Sequence, residues 1–233
     1  VGQSWKKATD TLSINVMSTH HLLEGLRLAH LHSRVVVPSS AYVYRPADRA
    51  LGEDDPVEST SPYAISKIAT ELAARKASAR DGIPVVIARA FNHIGPRQDA
   101  SFFASGVARQ IALIELGRME PIIRVGSLDT RRDFTDVRDT VRAYRALATD
   151  GRPGCAYNVC SGQAYAVRDL LDGLVAHSRV PVEVRQDPDR FRPNDTPLLL
   201  GDHSRITHDT GWVAIVPLHQ TLRDLLDHWR QQV

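Results

Sequence analysis

Ser40, Tyr63 and Lys67 bring together a hydroxyl, a phenol and an ammonium, a set that can hold and protonate a carbonyl oxygen while a hydride arrives from elsewhere. Tyr63 and Lys67 are four apart in the stretch SPYAISK, residues 61–67. On a helix they share a face, one turn apart. A positive charge beside a phenol favours phenolate and lowers its pKa. Taken alone, the spacing equally describes a surface Tyr stacked on a Lys stem. The elements around it decide between the two.

Ser61 is a good N-cap and Pro62 suits the first helical position, where no backbone donor is needed. The residues that follow are rich in Ala, Leu, Lys, Arg and Glu, and Gly82 can close the helix. Short apolar runs flank it, RVVVPSS (34–40) and IPVVIARAF (83–91). The rest of the chain alternates similarly. Helices are expected over 9–33, 62–81, 100–116, 136–150, 167–178 and 218–233, and strand segments over 120–127, 155–162 and 180–186. Strands separated by helices imply an α/β fold, a doubly wound parallel sheet of Rossmann type. Ligands bind such sheets outside the carboxyl ends of the strands. The run 34–40 delivers Ser39 and Ser40 to that edge, and 83–91 delivers Ala90, Phe91 and then Asn92. The helix between them starts at the same edge, so Ser40, Tyr63 and Lys67 can converge.

A chain of 233 residues, 42% hydrophobic and 24% charged, is long enough for one large or two small domains. It has no apolar run near the ~20 residues of a membrane helix, and no signal-peptide pattern at Val1. No membrane is therefore expected, and a cytoplasmic location is. Cys155 and Cys160 cannot make a disulfide framework, and C-x4-C is poor metal spacing. His20 and His21 lack acidic or Cys partners at ligand spacing, so no metal is expected. A net charge of +2 points away from nucleic acid. The 25 Arg against 4 Lys suit bidentate recognition of phosphate.

Several blocks, in order, resemble the extended short-chain dehydrogenases/reductases that act on nucleotide sugars. NVMSTHHLLEGL resembles that family's helix with its Asn, here Asn15, and SSAYVY the segment with the active-site Ser, here Ser40. SPYAISK carries the Tyr and Lys, and ARAFNHIGPRQ resembles the stretch that passes beneath the nicotinamide and turns toward substrate. RRDFTDVRD, YNVCSG and FRPNDTP complete the series. The resemblance implies Ser40, Tyr63, Lys67 and Asn15 as the catalytic set. It implies Tyr63, Lys67, Ala90 and His93 against NADP(H) or NAD(H), with Asn92, Arg132, Arg192 and Asp195 holding a nucleotide-diphosphate sugar. Asn15 would support Lys67 through a water. FNHIGPRQ, EPIIRVGSLDTRRDFTDVRD and RPNDTP look most like the GDP-sugar branch, whose members dehydrate GDP-mannose or reduce the 4-keto-6-deoxy product. A homodimer through helices 9–33 and 62–81 is expected by the same analogy.

The family's dehydratases place a Glu two residues after the Ser or Thr, to work at C5 and C6 of the sugar. Here that position is Tyr42, and Asp54 or Asp55 can replace it only if their loop folds back. Reduction of a 4-keto group needs no such carboxylate, and neither does 4-epimerisation, which stays open. The glycine-rich turn G-x-x-G-x-x-G is not among these residues. The expectation is a chain that is part of a longer enzyme, the alternative being a nucleotide-sugar-binding remnant without redox activity. The expected division is a cofactor lobe of residues 1–90 with returns near 137–162, and a substrate lobe of 91–136 and 163–233.

Overall fold

The structure, a computed structural model, describes residues 2–58, 61–187 and 196–233. After a 3-10 turn at Gly2–Trp5 comes a helix in three phases: α1 (Ala8–Leu12), a π-helical turn over Ser13–Met17, and α2 (Ser18–Leu28). The helix stops five residues short of the expected end, where His30 takes a positive φ of 53°. Next come β1 (Val35–Ser40), α3 (Pro62–Asp81) and β2 (Val85–Ala90). α3 starts and stops where its caps predict. Ser61 accepts the Ala64 amide at 3.1 Å, and Gly82 at φ 66° closes it. There an L side chain would be strained.

After β2 the chain forms β3 (Asn92–Ile94), α4 (Phe103–Glu115), β4 (Ile122–Val125), β5 (Arg131–Asp136) and α5 (Val137–Asp150). Then follow β6 (Ala156–Val159), β7 (Ala164–Ala166), α6 (Val167–Ala176), β8 (Glu183–Gln186), β9 (Leu198–Leu199), α7 (Ser204–Thr210) and α8 (Leu218–Gln232). The α/β reading holds. Among the described residues the strands form three hydrogen-bonded sheets. β1-β2-β6 is parallel and β4-β8 is parallel, whereas β5 pairs in parallel with β3 and β9 and antiparallel with β7. β3, β5, β7 and β9 escaped the sequence reading because they are short, and because β5 (RRDFTD) has no apolar run.

Three larger cores carry these sheets among the described residues, one of them packing Leu23, Ala74 and Ala77 against Val37, Val85, Ile87 and Ala156. Under β2 and β6 lie Val86, Ala88, Tyr157 and Val159, packed with Leu147, Ile206 and Trp212. The third core joins α4, α6 and α8 through Ile111, Leu170, Leu174, Leu222 and Leu225. Residues 204–212 pack into the core under β2 and β6, although they lie within the stretch 163–233 assigned to the second lobe. A small cluster, Ala41, Val43, Tyr44, Leu51, Phe91, Cys160 and Leu199, fills the space beside the strand ends. Gly201 belongs to that seam, since a Cβ there would come within 2.5 Å of Cys160 Sγ and 2.7 Å of the Phe91 ring.

Candidate active site

The parallel register aligns the strand ends. Ser40 pairs with Ala90, and Ala90 with Val159, so one row crosses the carboxyl edge of all three strands. Ser40 is buried, and its hydroxyl accepts the Tyr42 amide at 3.3 Å. Tyr63 enters from the first turn of α3, half-buried, close enough to Ser40 for that hydroxyl to act on its phenol. Burial pushes its phenol above the ordinary value, the Ser40 hydroxyl opposes that rise, and Tyr42 adds to it. This differs from the expectation that Lys67 lowers Tyr63. Desolvation outweighs any gain to the phenolate here. Lys67 Nζ lies 5.7 Å from the centroid of the Tyr63 ring and donates to the Pro38 carbonyl at 2.9 Å. Burial lowers its pKa.

Asn15 lies in the π turn, and its amide donates to Ser66 Oγ at 2.9 Å, whose own hydroxyl donates to the Tyr63 carbonyl at 2.8 Å. It therefore reaches the backbone of the Tyr63 turn, whereas the ammonium of Lys67 goes to Pro38. Asn92 donates to the Asp133 carbonyl at 3.4 Å, and Ala90 is buried. His93 is exposed, with Nδ1 3.3 Å from the Phe91 carbonyl. Arg132 is buried on β5, donating to the Arg131 carbonyl at 2.8 Å and lying 3.5 Å from that of Pro197. Arg192 and Asp195 lie outside the described residues. Asp54 and Asp55 do not fold back toward Ser40. Asp54 is paired with Arg205 at 2.6 Å, and Asp55 takes Arg49 at 2.6 Å and the Gly52 amide at 2.8 Å.

Four polar residues beneath the row were not singled out from the sequence. Glu71 accepts from Ser39 at 2.5 Å and from Arg89 at 2.9 and 2.7 Å. The Arg89 guanidinium lies 4.8 Å over the Tyr44 ring, and the Tyr44 hydroxyl donates to Asn158 at 2.7 Å. The available signal was a charged residue, Arg89, inside the apolar run VVIARAF. Among the described residues no cluster of His, Cys, Asp and Glu could hold a metal ion, and no helix is long and apolar enough to cross a membrane.

A family model described as GDP-mannose 4,6 dehydratase matches residues 1–225. The chain is 36% identical over 236 residues to a GDP-6-deoxy-D-mannose reductase of Pseudomonas aeruginosa, covering 100% of this chain and 78% of the relative. It is 26% identical over 238 residues to a GDP-mannose 4,6-dehydratase of Sinorhizobium fredii, covering 92% of this chain and 66% of that protein. The solved structure of RMD from Pseudomonas aeruginosa complexed with NADPH superposes with a TM-score of 0.95 at 34% identity, over 100% of this chain and 78% of that one.

Proposed function

The chain belongs to the GDP-mannose 4,6-dehydratase family of the extended short-chain dehydrogenases/reductases, and from that premise we propose that it reduces the 4-keto group of a GDP-linked 4-keto-6-deoxy-hexose. Members of this family are NAD(P)-dependent enzymes of nucleotide-sugar metabolism. The observation that carries the reductase reading is the acid set itself. Ser40 and Tyr63 stand together at the strand ends, Tyr42 stands where a dehydratase has its carboxylate, and Asp54 and Asp55 are tied to arginines elsewhere. The 36% identity to a reductase, against 26% to a dehydratase, supports the same choice.

The residues present fit the nicotinamide end of a dinucleotide. Lys67 gives one N–H to Pro38, and an ammonium has three, so two remain for the hydroxyls of a ribose. Ala90 and His93 would flank the ring. When bound, NADPH or NADH supplies the hydride. Ser40 hydrogen-bonds the ketone oxygen, and Tyr63 gives its proton to that oxygen as it becomes an alkoxide. A raised phenol pKa suits this direction, because the residue must arrive protonated and then donate. Lys67 stabilises the phenolate left behind, while Asn15 steadies the Tyr63 turn through Ser66. Arg132 and Arg192 hold the diphosphate, with Asn92 and Asp195 on the sugar and nucleotide. Their binding energy orients the keto group.

Two broader assignments accompany this one. The π turn, α2 and α3 leave Ile14, Met17, Leu22, Ile65 and Leu72 exposed, and we assign to them the contact of a homodimer. We place the enzyme in the cytoplasm, where reduced nicotinamide and nucleotide sugars are supplied.

The test is stoichiometric. Given GDP-4-keto-6-deoxy-mannose and reduced cofactor, the enzyme should consume both in equal amounts. Given GDP-mannose and oxidised cofactor, it should release no keto sugar. Steady conversion of GDP-mannose to the keto sugar without net cofactor use overturns the reading.

A further inference from the structure

Tyr63, Lys67 and Glu71 follow one another at intervals of four along α3, so they form a single stripe over two turns. Tyr63 and Lys67 face the strand ends. Glu71 faces the row one step below, where the parallel register sets Ser39 beside Arg89, and Arg89 beside Asn158. Equivalent rows of parallel strands present their side chains on one face, and this row is polar throughout. Ser39, Glu71 and Arg89 are 5%, 5% and 4% exposed.

Every member is engaged. One Glu71 oxygen accepts both the Ser39 hydroxyl (2.5 Å) and Arg89 Nε (2.9 Å), and the other accepts Arg89 Nη2 (2.7 Å). Arg89 Nη1 donates to the Glu53 carbonyl at 3.0 Å, and its plane covers the Tyr44 ring. Asn158 takes the Tyr44 hydroxyl and donates to the carbonyls of Leu51 and Asp202 at 2.7 and 3.1 Å. A bidentate carboxylate–guanidinium pair has a fixed planar geometry. Here it joins the helix with the proton donor to the strands with Ser40 and Ala90, one residue from each.

A buried ion pair is a poor device for stability alone, since an apolar pair of similar volume often does as well. Its fixed geometry is what an apolar contact lacks. We propose that Glu71 is a positioning residue: clamped between Ser39 and Arg89, it sets the height and rotation of α3, and so the placement of Tyr63 and Lys67 against Ser40. This rests on the reductase reading for its kinetic consequence, but not for its structural one.

The experiment separates placement from stability. In the full-length enzyme, Glu71→Gln leaves Arg89 buried without its counter-charge and should fold poorly. The double variant Glu71→Met with Arg89→Met removes both charges and should recover most of the melting temperature. The clamp predicts that this stable variant still loses about tenfold or more in kcat, because the acid is displaced, with KM for the nucleotide sugar little changed. Its Tyr63 titration, read as the ultraviolet difference against Tyr63→Phe, should fall toward the ordinary phenol value as water enters. Ser39→Ala, which keeps the ion pair, should move both readouts the same way by less. A stable double variant with full kcat and an unchanged Tyr63 titration overturns the proposal. If the double variant does not fold, Ser39→Ala decides: unchanged kcat and titration overturn it. The titration needs no substrate, so it reads the clamp even if the enzyme proves not to reduce the keto sugar.

Discussion

Two regions of this chain, one around β2 and one around β5, are held together by different means. Around β1, β2 and β6 the chain relies on apolar strands, every residue of β2 being buried, with hydrogen bonds in a continuous parallel register. Around β5 it relies on carboxylates. Asp133, Asp136 and Asp139 recur at intervals of three, and each gathers a remote segment. Asp133 accepts the amide and hydroxyl of Ser161 at 2.7 Å and the amides of Gly162 and Gly201 at 2.9 and 3.4 Å. Asp136 caps α5 through the Arg138 amide and takes the Thr221 hydroxyl, both at 2.7 Å. Asp139 accepts the amides of Ile215 and Val216 at 2.9 and 2.8 Å. One region is sheet-built and the other is stitched by short side chains to backbone donors. The seam between them is where the chemistry is proposed, proton donor on the first and anion anchor on the second.

If that division is real, kinetic damage should sort by region. Tyr63→Phe, on the first, should lower kcat by about 100-fold or more with KM nearly unchanged. Near-normal turnover would remove Tyr63 from the mechanism. Arg132→Ala, on the second, should act through binding, raising KM for the nucleotide sugar on the order of 30-fold, or about 2 kcal/mol. Equal affinity before and after the change would sever Arg132 from the diphosphate.

Stability should sort as well. Asp133→Asn puts an amide group among four donors and should destabilise by about 2 kcal/mol, seen as a shift of the denaturant midpoint. Trimming one methylene in the first region, Ile87→Val, should destabilise by only about 1 kcal/mol. A reversal of that order would mean the carboxylate stitches matter less than the sheet.

The smallest effect concerns acid. Arg230 holds Glu115 below its ordinary value; burial works against it. Burial would raise Asp136, but Arg138, Thr221 and the Arg138 amide outweigh it and lower it. A carboxylate lowered by folding contributes stability that is whole above its unfolded value and is lost as pH falls through its folded value. Melting of the unmodified protein should therefore exceed that of Glu115→Gln by about 2–4 °C at neutral pH. The gap should close as pH drops below 4.5, the ordinary value for Glu. A gap that stays constant down to strong acid would show that the Glu115 charge is not involved.

The same contrast explains what could be read in advance. α3 was legible to the residue because Ser61, Pro62 and Gly82 are local signals, and β1 and β2 because buried parallel strands read as apolar runs. The convergence of Ser40 with Tyr63 followed from those three elements. β5 and β7 were not legible: their residues are polar, and they become strands by pairing with β3, β9 and each other. Arg132 was identified by resemblance alone, and the buried partners of Arg89 needed the register between strands. The pKa direction of Tyr63 depended on burial, which the spacing of Tyr and Lys does not encode.

The π turn at Ser13–Met17 works as a phase shifter. It carries one residue more than the same length of α-helix, and α3 touches α1, the turn and α2 alike. Deleting that extra residue would leave a plain α-helix with both flanks still in phase, whereas adding a residue elsewhere would rotate one side by about 100° relative to the other. Asn15 and Leu23, which both face α3, would stay together after the deletion and part after an insertion between them. Length variation in this helix is therefore absorbed at 13–17, and a single-residue deletion there should be tolerated better than a single-residue insertion between Ser18 and Leu23.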